Sequence, residues 1–329
     1  MTPSVSVALA TYNGRAYLPE QLASLAAQER LPDELVACDD GSSDGTVELL
    51  EDFARTAPFR VRIYRNESNL GVLRNFEKAL SLCEGDIVFL SDQDDVWLPE
   101  KIATVVELFG KTPGALAIVN DKLIADENLV PTGATMLGNI RGFGSPESNF
   151  VAGCCSAFRR EWLGIALPIP KGAIAHDTWL VGLAHRLGVA SISDKPLQYY
   201  RRHGANVSQN AYSEPRRVGL AKRLAVEIGA VFKRSKGDVG AYWRPFLDSN
   251  DAEARRIGER REVLERLGLS GRADSAAEAI RRQSETMAER LRPAEASLPR
   301  RAAGVFRLWR SGGYSAFSGW KSAVKDLLQ

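Results

Sequence analysis

The stretch Asp86–Ile102 reads DIVFLSDQDDVWLPEKI and decides the fold. Ile87–Leu90 is a short apolar run bounded by polar residues, and it reads as a buried strand. It runs straight into Asp92, Gln93, Asp94 and Asp95, and Pro99–Phe109 then carries apolar residues at helical spacing. Working outward, the unit of strand, polar turn and helix recurs. Val5–Ala10 (VSVALA) is a strand, followed by a helix over Tyr17–Gln28. Leu35–Cys38 is a strand ending at Asp39 and Asp40, followed by a helix over Thr46–Ala54. Val61–Tyr64 is a strand and Leu73–Leu82 a helix. Leu116–Val119 and Val189–Ile192 read as the remaining strands, and glycine-rich Pro131–Asn149 reads as a loop or mobile region. The alternation predicts an α/β fold with a Rossmann-like, mainly parallel sheet flanked by helices. Ligands of such sheets bind beyond the carboxyl ends of the strands, where the acidic clusters fall.

The chain has 329 residues, 44% hydrophobic and 26% charged, enough for a substantial core and unlike a disordered chain. Its 43 basic and 41 acidic residues leave a formal charge of +2, which argues against a nucleic-acid partner. The balance hides a split. Residues 1–210 carry a net −7 and residues 211–329 a net +9, so we divide the chain at residue 210. The rear part reads as helices, with apolar spacing over Ala252–Leu267 and over Ser275–Leu291, the latter ended by Pro293. It also carries Phe306, Trp309, Phe317 and Trp320 among its basic residues. Peripheral contact with an anionic membrane, packing of these aromatics on the catalytic core and a homodimer contact are the readings open for it.

No run of 18 apolar residues occurs, which excludes an ordinary spanning helix. The N-terminus shows no basic segment followed by a long apolar one, so no secretory signal is expected. Cys38, Cys83, Cys154 and Cys155 form neither a metal-type spacing nor a disulfide framework, and they read as reduced and packed. A cytoplasmic protein, at the cytoplasmic face of the membrane if attached, is the expectation.

Three acidic elements and one basic element carry the chemistry. In ACDDGSSDGT, Asp39, Asp40 and Asp44 suit a turn that caps a helix, or a carboxylate that accepts a nucleobase N–H. Asp92, Asp94 and Asp95 repel one another unless a cation joins them. Mg²⁺ or Mn²⁺ would do so, and a solvated acidic turn is the plain alternative. In AHDTW, Asp177 reads as a helix cap beside a surface His176, or as a general base with His176 as helper. In YYRRHGANVSQN, Arg201, Arg202 and His203 could meet phosphate or metal, or form a basic loop. No G-x-G-x-x-G fingerprint is present, which weakens a dehydrogenase reading.

In order along residues 5 to about 210, SVALATYNG, ACDDGSSDGT, NLGVLRNFEKAL, DIVFLSDQDDVWLPEKI, GCCSAFRR, HDTW and YYRRHGANVS resemble family 2 glycosyltransferases of the GT-A fold. The resemblance is closest to the bacterial rhamnosyltransferase-like branch. It implies a GT-A catalytic domain over residues 1–210 and a basic helical C-terminal region over 211–329. It implies a nucleotide-sugar donor against Thr11, Tyr12 and Asn13, with Asp40 reading the base N3–H and Asp39 beside it. Arg74 would face the nucleotide and Asp92 the ribose. Asp94 is the first choice as metal ligand, and His203 approaches the metal or diphosphate. Arg201 or Arg202 would steady the leaving group, and Asp177 would be the base. The implied reaction inverts the anomeric carbon. The leading donor is dTDP-L-rhamnose, with another dTDP- or UDP-sugar as runner-up, and the acceptor is a cell-surface polysaccharide or lipid-linked glycan. A noncatalytic glycan-assembly protein and a nucleotidyltransferase are the competing classes.

Overall fold

The computed structural model describes residues 2–204, 206, 211–213, 239–294, 298–314 and 319–328. The chain divides into two compact units. One comprises Met1–Ile169 with Ala175–Val218, the other Pro170–Ile174 with Gly219–Gln329.

In the first unit, β1 (Val5–Thr11), β2 (Glu34–Asp39), β3 (Arg60–Arg65) and β4 (Ile87–Ser91) form the parallel half of the sheet. Their order is β3-β2-β1-β4. The chain therefore steps outward from β1 to β3 and then returns to set β4 on the other side of β1. That reversal opens a crevice between the carboxyl ends of β1 and β4, the place where such sheets bind ligands. Thr11 closes β1 and Ser91 closes β4, so the turns after them line the crevice. Helices α1 (Leu18–Ala26), α2 (Thr46–Ala54), α3 (Val72–Leu82) and α4 (Lys101–Lys111) alternate with these strands. β2 and β4 are buried throughout and β1 nearly so. Burial on both faces explains why they read as apolar runs rather than as alternating patterns. Val5, Val7, Leu9, Leu35, Phe89 and Phe109 belong to the resulting core.

The other half of the nine-stranded sheet is mixed. It contains β5 (Val96–Trp97), β6 (Ala117–Ala125), β7 (Pro131–Thr135), β8 (Ser156–Arg159) and β9 (Ala190–Arg201), in the order β4-β8-β6-β9-β5 with β7 on β6. β8 runs antiparallel to both β4 and β6 and joins the two halves. Two expectations change here. Pro131–Asn149 is not a loop: it forms β7, helix α5 (Met136–Gly142) and a short 3-10 turn, and Ala134, Leu137 and Ile140 are buried. β9 does not stop at Ile192 but continues to Arg201, pairing in parallel with β6 and at its end with β5. Its register slips where Pro196 lies opposite Asp121, the irregularity expected of a strand proline. Helices α6 (Arg160–Ala166) and α7 (His176–Arg186) complete the part that frames the crevice.

The second unit contains the helices Val239–Glu259, Arg261–Arg266, Ser270–Ala294, Leu298–Arg310 and Trp320–Leu328 among its described residues. The helix expected over Ala252–Leu267 is divided at Arg260, and the one expected to end before Pro293 runs through it. Phe317 and the side chain of Trp320 lie outside the described residues. No described helix is long and apolar enough to cross a membrane.

Candidate active site

The turns after β1 and β2 are knitted together. Asn13 N donates to Ser42 Oγ (2.8 Å), Ser43 N to Asn13 Oδ1 (3.0 Å), Gly14 N to Thr46 Oγ1 (2.8 Å) and Arg15 N to Asp44 Oδ2 (3.0 Å). Asn13 has φ 45°, a left-handed conformation that asparagine tolerates better than most residues. The turn after β4 joins them through Gln93, whose Oε1 accepts from Tyr12 N (2.9 Å) and whose Nε2 donates to Tyr12 O (3.1 Å). A Cβ on Gly14 would come within 2.2 Å of Gln93 Oε1, so only glycine leaves that clamp intact. The Tyr12 side chain is 48% exposed.

The two adjacent acids of β2 and its turn differ in what remains available to a ligand. Asp39 accepts from Gly41 N (3.1 Å), Ser42 N (2.8 Å), Thr11 Oγ1 (3.0 Å) and Ser42 Oγ. A carboxylate offers about four acceptor positions, so Asp39 is saturated by the protein. It braces the turn, and these bonds compete with the expected role of Asp39 beside the nucleotide. Asp40 accepts from Asn66 Nδ2 (2.8 Å), Leu70 N (2.8 Å) and Gly71 N (2.9 Å), which leaves one acceptor position on Oδ2. Those bonds also tie down the start of α3. Arg74, on α3, pairs with Glu77 (2.5 Å) and donates to Ile169 O (2.7 Å).

The turn after β4 gathers the second acid group. His203 Nε2 lies 2.8 Å from Asp94 Oδ2, Asn206 Nδ2 lies 3.3 Å from the same oxygen, and the His203 ring stacks on Tyr17 at 4.4 Å. Asp92, Asp95 and Cys154 present ligand atoms within 4.8 Å of one another. Burial pushes the Asp92 carboxyl up to about 7, helped by the charges of Asp94 and Asp177 and opposed by Lys122 and a Cys154 hydrogen bond. Burial also raises Asp95 well above the carboxylate range. Asp95 Oδ2 accepts from Gln198 Nε2 (2.7 Å), whereas Oδ1 is buried with no partner among the described residues.

Below these acids lie two buried lysines that sequence reasoning missed. Lys101 Nζ donates to Cys154 O (2.9 Å) and to Gln198 Oε1, and sits 3.9 Å over the Trp97 ring. Burial pulls it down to about 8. Lys122 Nζ lies 3.4 Å over the Tyr200 ring and 3.7 Å from Cys154 Sγ. Burial opposes its charge, but Cys154, Cys155, Tyr200 and Asp95 outweigh that and raise it. A lysine inside an apolar segment was the available signal, because a buried ammonium needs an acid or a ring nearby.

Asp94 and His203 bring a carboxylate oxygen and an imidazole nitrogen together, a pair that would suit the softer Mn²⁺ better than Mg²⁺. The partnerless buried oxygen of Asp95 lies in the same acid group, beside Asp92. Cys154 suits such a cation poorly, because a thiolate is a soft ligand and Mg²⁺ or Mn²⁺ prefers oxygen. Linkage gives a test of the acid cluster. The Asp92 pKa is higher folded than unfolded, so the stability it contributes is complete below about pH 4 and is lost as pH rises through about 7. In EDTA, Asp92→Asn should therefore gain in Tm over wild type progressively across that window. A gain that shrinks as pH rises contradicts this placement.

Asp177 stands at the start of α7. Its Oδ1 accepts from Thr178 N (2.7 Å), and Oδ2 has no hydrogen bond among the described residues. His176 is buried and stacks on Phe76 at 4.2 Å. Burial depresses its pKa, and its Nε2 has no partner among the described residues. Gly153 lets this pair approach, since a Cβ there would lie 2.6 Å from His176 Nε2 and 3.4 Å from Asp177 Cβ.

Arg201 is placed among protein partners. It is 3% exposed, donates to Asp94 O (3.0 Å) and Glu127 O (2.7 Å), pairs with Glu20 and lies 4.9 Å over the Tyr17 ring. It braces the Asp94 peptide. Arg202 is partly exposed, with its guanidinium 5.8 Å from the Tyr200 ring. All four cysteines are free and buried.

Residues 6–164 match the family model for Glycosyl transferase family 2. An uncharacterized glycosyltransferase of Nostoc sp. is 28% identical over 244 residues, covering 68% of this chain and 72% of its own length. The dTDP-rhamnosyl transferase RfbG of Shigella flexneri is 25% identical over 241 residues, covering 65% of this chain and 79% of its own. The solved structure of S. aureus TarS 1-349 in complex with UDP superposes with a TM-score of 0.52 at 20% identity, covering 86% of this chain and 90% of that one. Residues 6–164 are thus similar to a family 2 glycosyltransferase domain, and the fold is of the GT-A type.

Proposed function

We propose that the chain moves a sugar from a nucleotide-sugar donor to an acceptor hydroxyl in one inverting displacement that requires Mg²⁺ or Mn²⁺. The observation that carries this reading is the meeting of two acid groups with different roles in one crevice. Asp94 lies against His203, while Asp177 keeps one oxygen unengaged and is close enough to Asp92 to raise its pKa.

The roles we assign are these. The remaining acceptor position of Asp40 suits a base N3–H, with Thr11, Tyr12 and Asn13 beside it and Asp92 toward the ribose. Asp94 and His203 would hold the cation. The bound cation supplies positive charge against the diphosphate leaving group. Asp177 accepts the proton of the attacking hydroxyl as the new bond forms at the sugar C1. Glycoside hydrolysis needs two carboxyls flanking the bond, and one base set apart from a cation group suits transfer better.

The leading donor is dTDP-L-rhamnose, supported by the likeness to RfbG, with another dTDP- or UDP-sugar as runner-up. Uracil and thymine present the same N3–H, so Asp40 accepts either. The acceptor we infer is a hydroxyl of a cell-surface polysaccharide or lipid-linked glycan. A panel of dTDP-rhamnose, dTDP-glucose, UDP-glucose and UDP-galactose tests the reading. Nucleoside diphosphate should be released with Mg²⁺ or Mn²⁺ and not with EDTA. Folded protein that releases none would favour a noncatalytic glycan-assembly role, and release of pyrophosphate from a nucleoside triphosphate would favour nucleotidyl transfer.

A further inference from the structure

We infer that the helix Leu298–Arg310 is a membrane-surface element that holds the chain on anionic lipid. Its inner side is already satisfied. Val305 and Leu308 are buried in a small cluster with Tyr314 and Ala323. Its outer side carries Phe306, 62% exposed, and Trp309, 47% exposed. The two are three residues apart and so neighbours on one helix face. Arg300, Arg307 and Arg310 on the same helix are also exposed. An aromatic pair among arginines suits a bilayer interface. The rings enter the boundary of headgroups and acyl chains, while the guanidinium groups stay with lipid phosphates.

Charge decides between this partner and a second copy of the chain. Residues 298–328 hold six basic residues and one acid, Asp326. Asp326 is buried and taken up by Arg290 (2.6 and 2.7 Å) and Tyr314 Oη (3.0 Å). The segment therefore has no exposed acid to offset its arginines. A two-fold contact through this face would set arginine against arginine, whereas anionic lipid complements it. With 13 residues the helix lies in the interface and does not cross it.

Co-sedimentation of the full chain with vesicles tests this, using phosphatidylcholine alone or mixed with phosphatidylglycerol. Wild type should sediment with the mixed vesicles, less so at high salt, and poorly with phosphatidylcholine alone. The triple variant Arg300→Gln, Arg307→Gln, Arg310→Gln should weaken binding on the order of a hundredfold. Phe306→Ser and Trp309→Ser should each weaken it roughly tenfold. If Trp309→Ser unfolds the chain, Phe306→Ser carries the aromatic arm alone, because that side chain is largely exposed. Absent or charge-independent binding, or folded variants that bind like wild type, overturns the inference. So does concentration-dependent self-association without lipid that Phe306→Ser abolishes. The readout needs no donor, so its failure and that of the proposed reaction are separable.

Discussion

Asp177→Asn is expected to lower sugar transfer about 10²- to 10⁴-fold, the range a positioned general base contributes, while nucleotide binding stays near wild type. The substitution isolates proton acceptance. Asp177 Oδ1 holds only its own helix start, through Thr178 N, and an asparagine oxygen can accept that bond. The fold and the crevice should therefore survive. What disappears is the basic Oδ2, which has no hydrogen bond among the described residues and has Asp92 as its charged neighbour. Steady-state transfer rates alongside equilibrium binding of dTDP check the claim. Unchanged transfer would remove Asp177 from the role of base.

The second large effect is on stability. Asp39→Ala should cost roughly 2–5 kcal/mol in chemical denaturation, because it strands several buried donors at once. Gly41 N, Ser42 N, Thr11 Oγ1 and Ser42 Oγ all lose their acceptor, and water has little access to a fully buried site. Asp39→Asn should be milder. Its oxygen can still take the two amides, and the two hydroxyls can turn to donate elsewhere or accept from the new NH₂. Equal losses for the two variants would contradict the bracing role. Full stability of Asp39→Ala with weakened nucleotide binding would assign Asp39 to the donor site.

The acids and strands at the reversal point were legible because parallel strands buried on both faces appear as plain apolar runs. VSVALA, LVAC and IVFL each run into a polar residue, Thr11, Asp39 and Ser91. The mixed half was less legible. β6 runs on through Asn120, Asp121 and Lys122, all buried, and a strand prediction stops at the first of them. β5 and β8 are too short to show a period, and β7 is exposed over its first three residues. Burial of the polar side chains depends on partners distant in the chain. Lys101 finds Cys154 O and Gln198, and Arg201 finds Glu20 and Glu127 O. The triplet Arg201, Arg202, His203 announces positive charge but not its direction. Register on β9 decides that, burying Arg201 under the Asp94 peptide and leaving Arg202 partly exposed.

The site we propose is a cation-dependent nucleotide site at Asp94 and His203 with a separate base at Asp177. Its most direct test is calorimetric titration of dTDP and UDP into the full chain, with Mn²⁺ and with EDTA. Binding should require the cation, be lost in Asp94→Ala with His203→Ala, and persist in Asp177→Asn. Equal binding in EDTA, or binding untouched by loss of both Asp94 and His203, would contradict it.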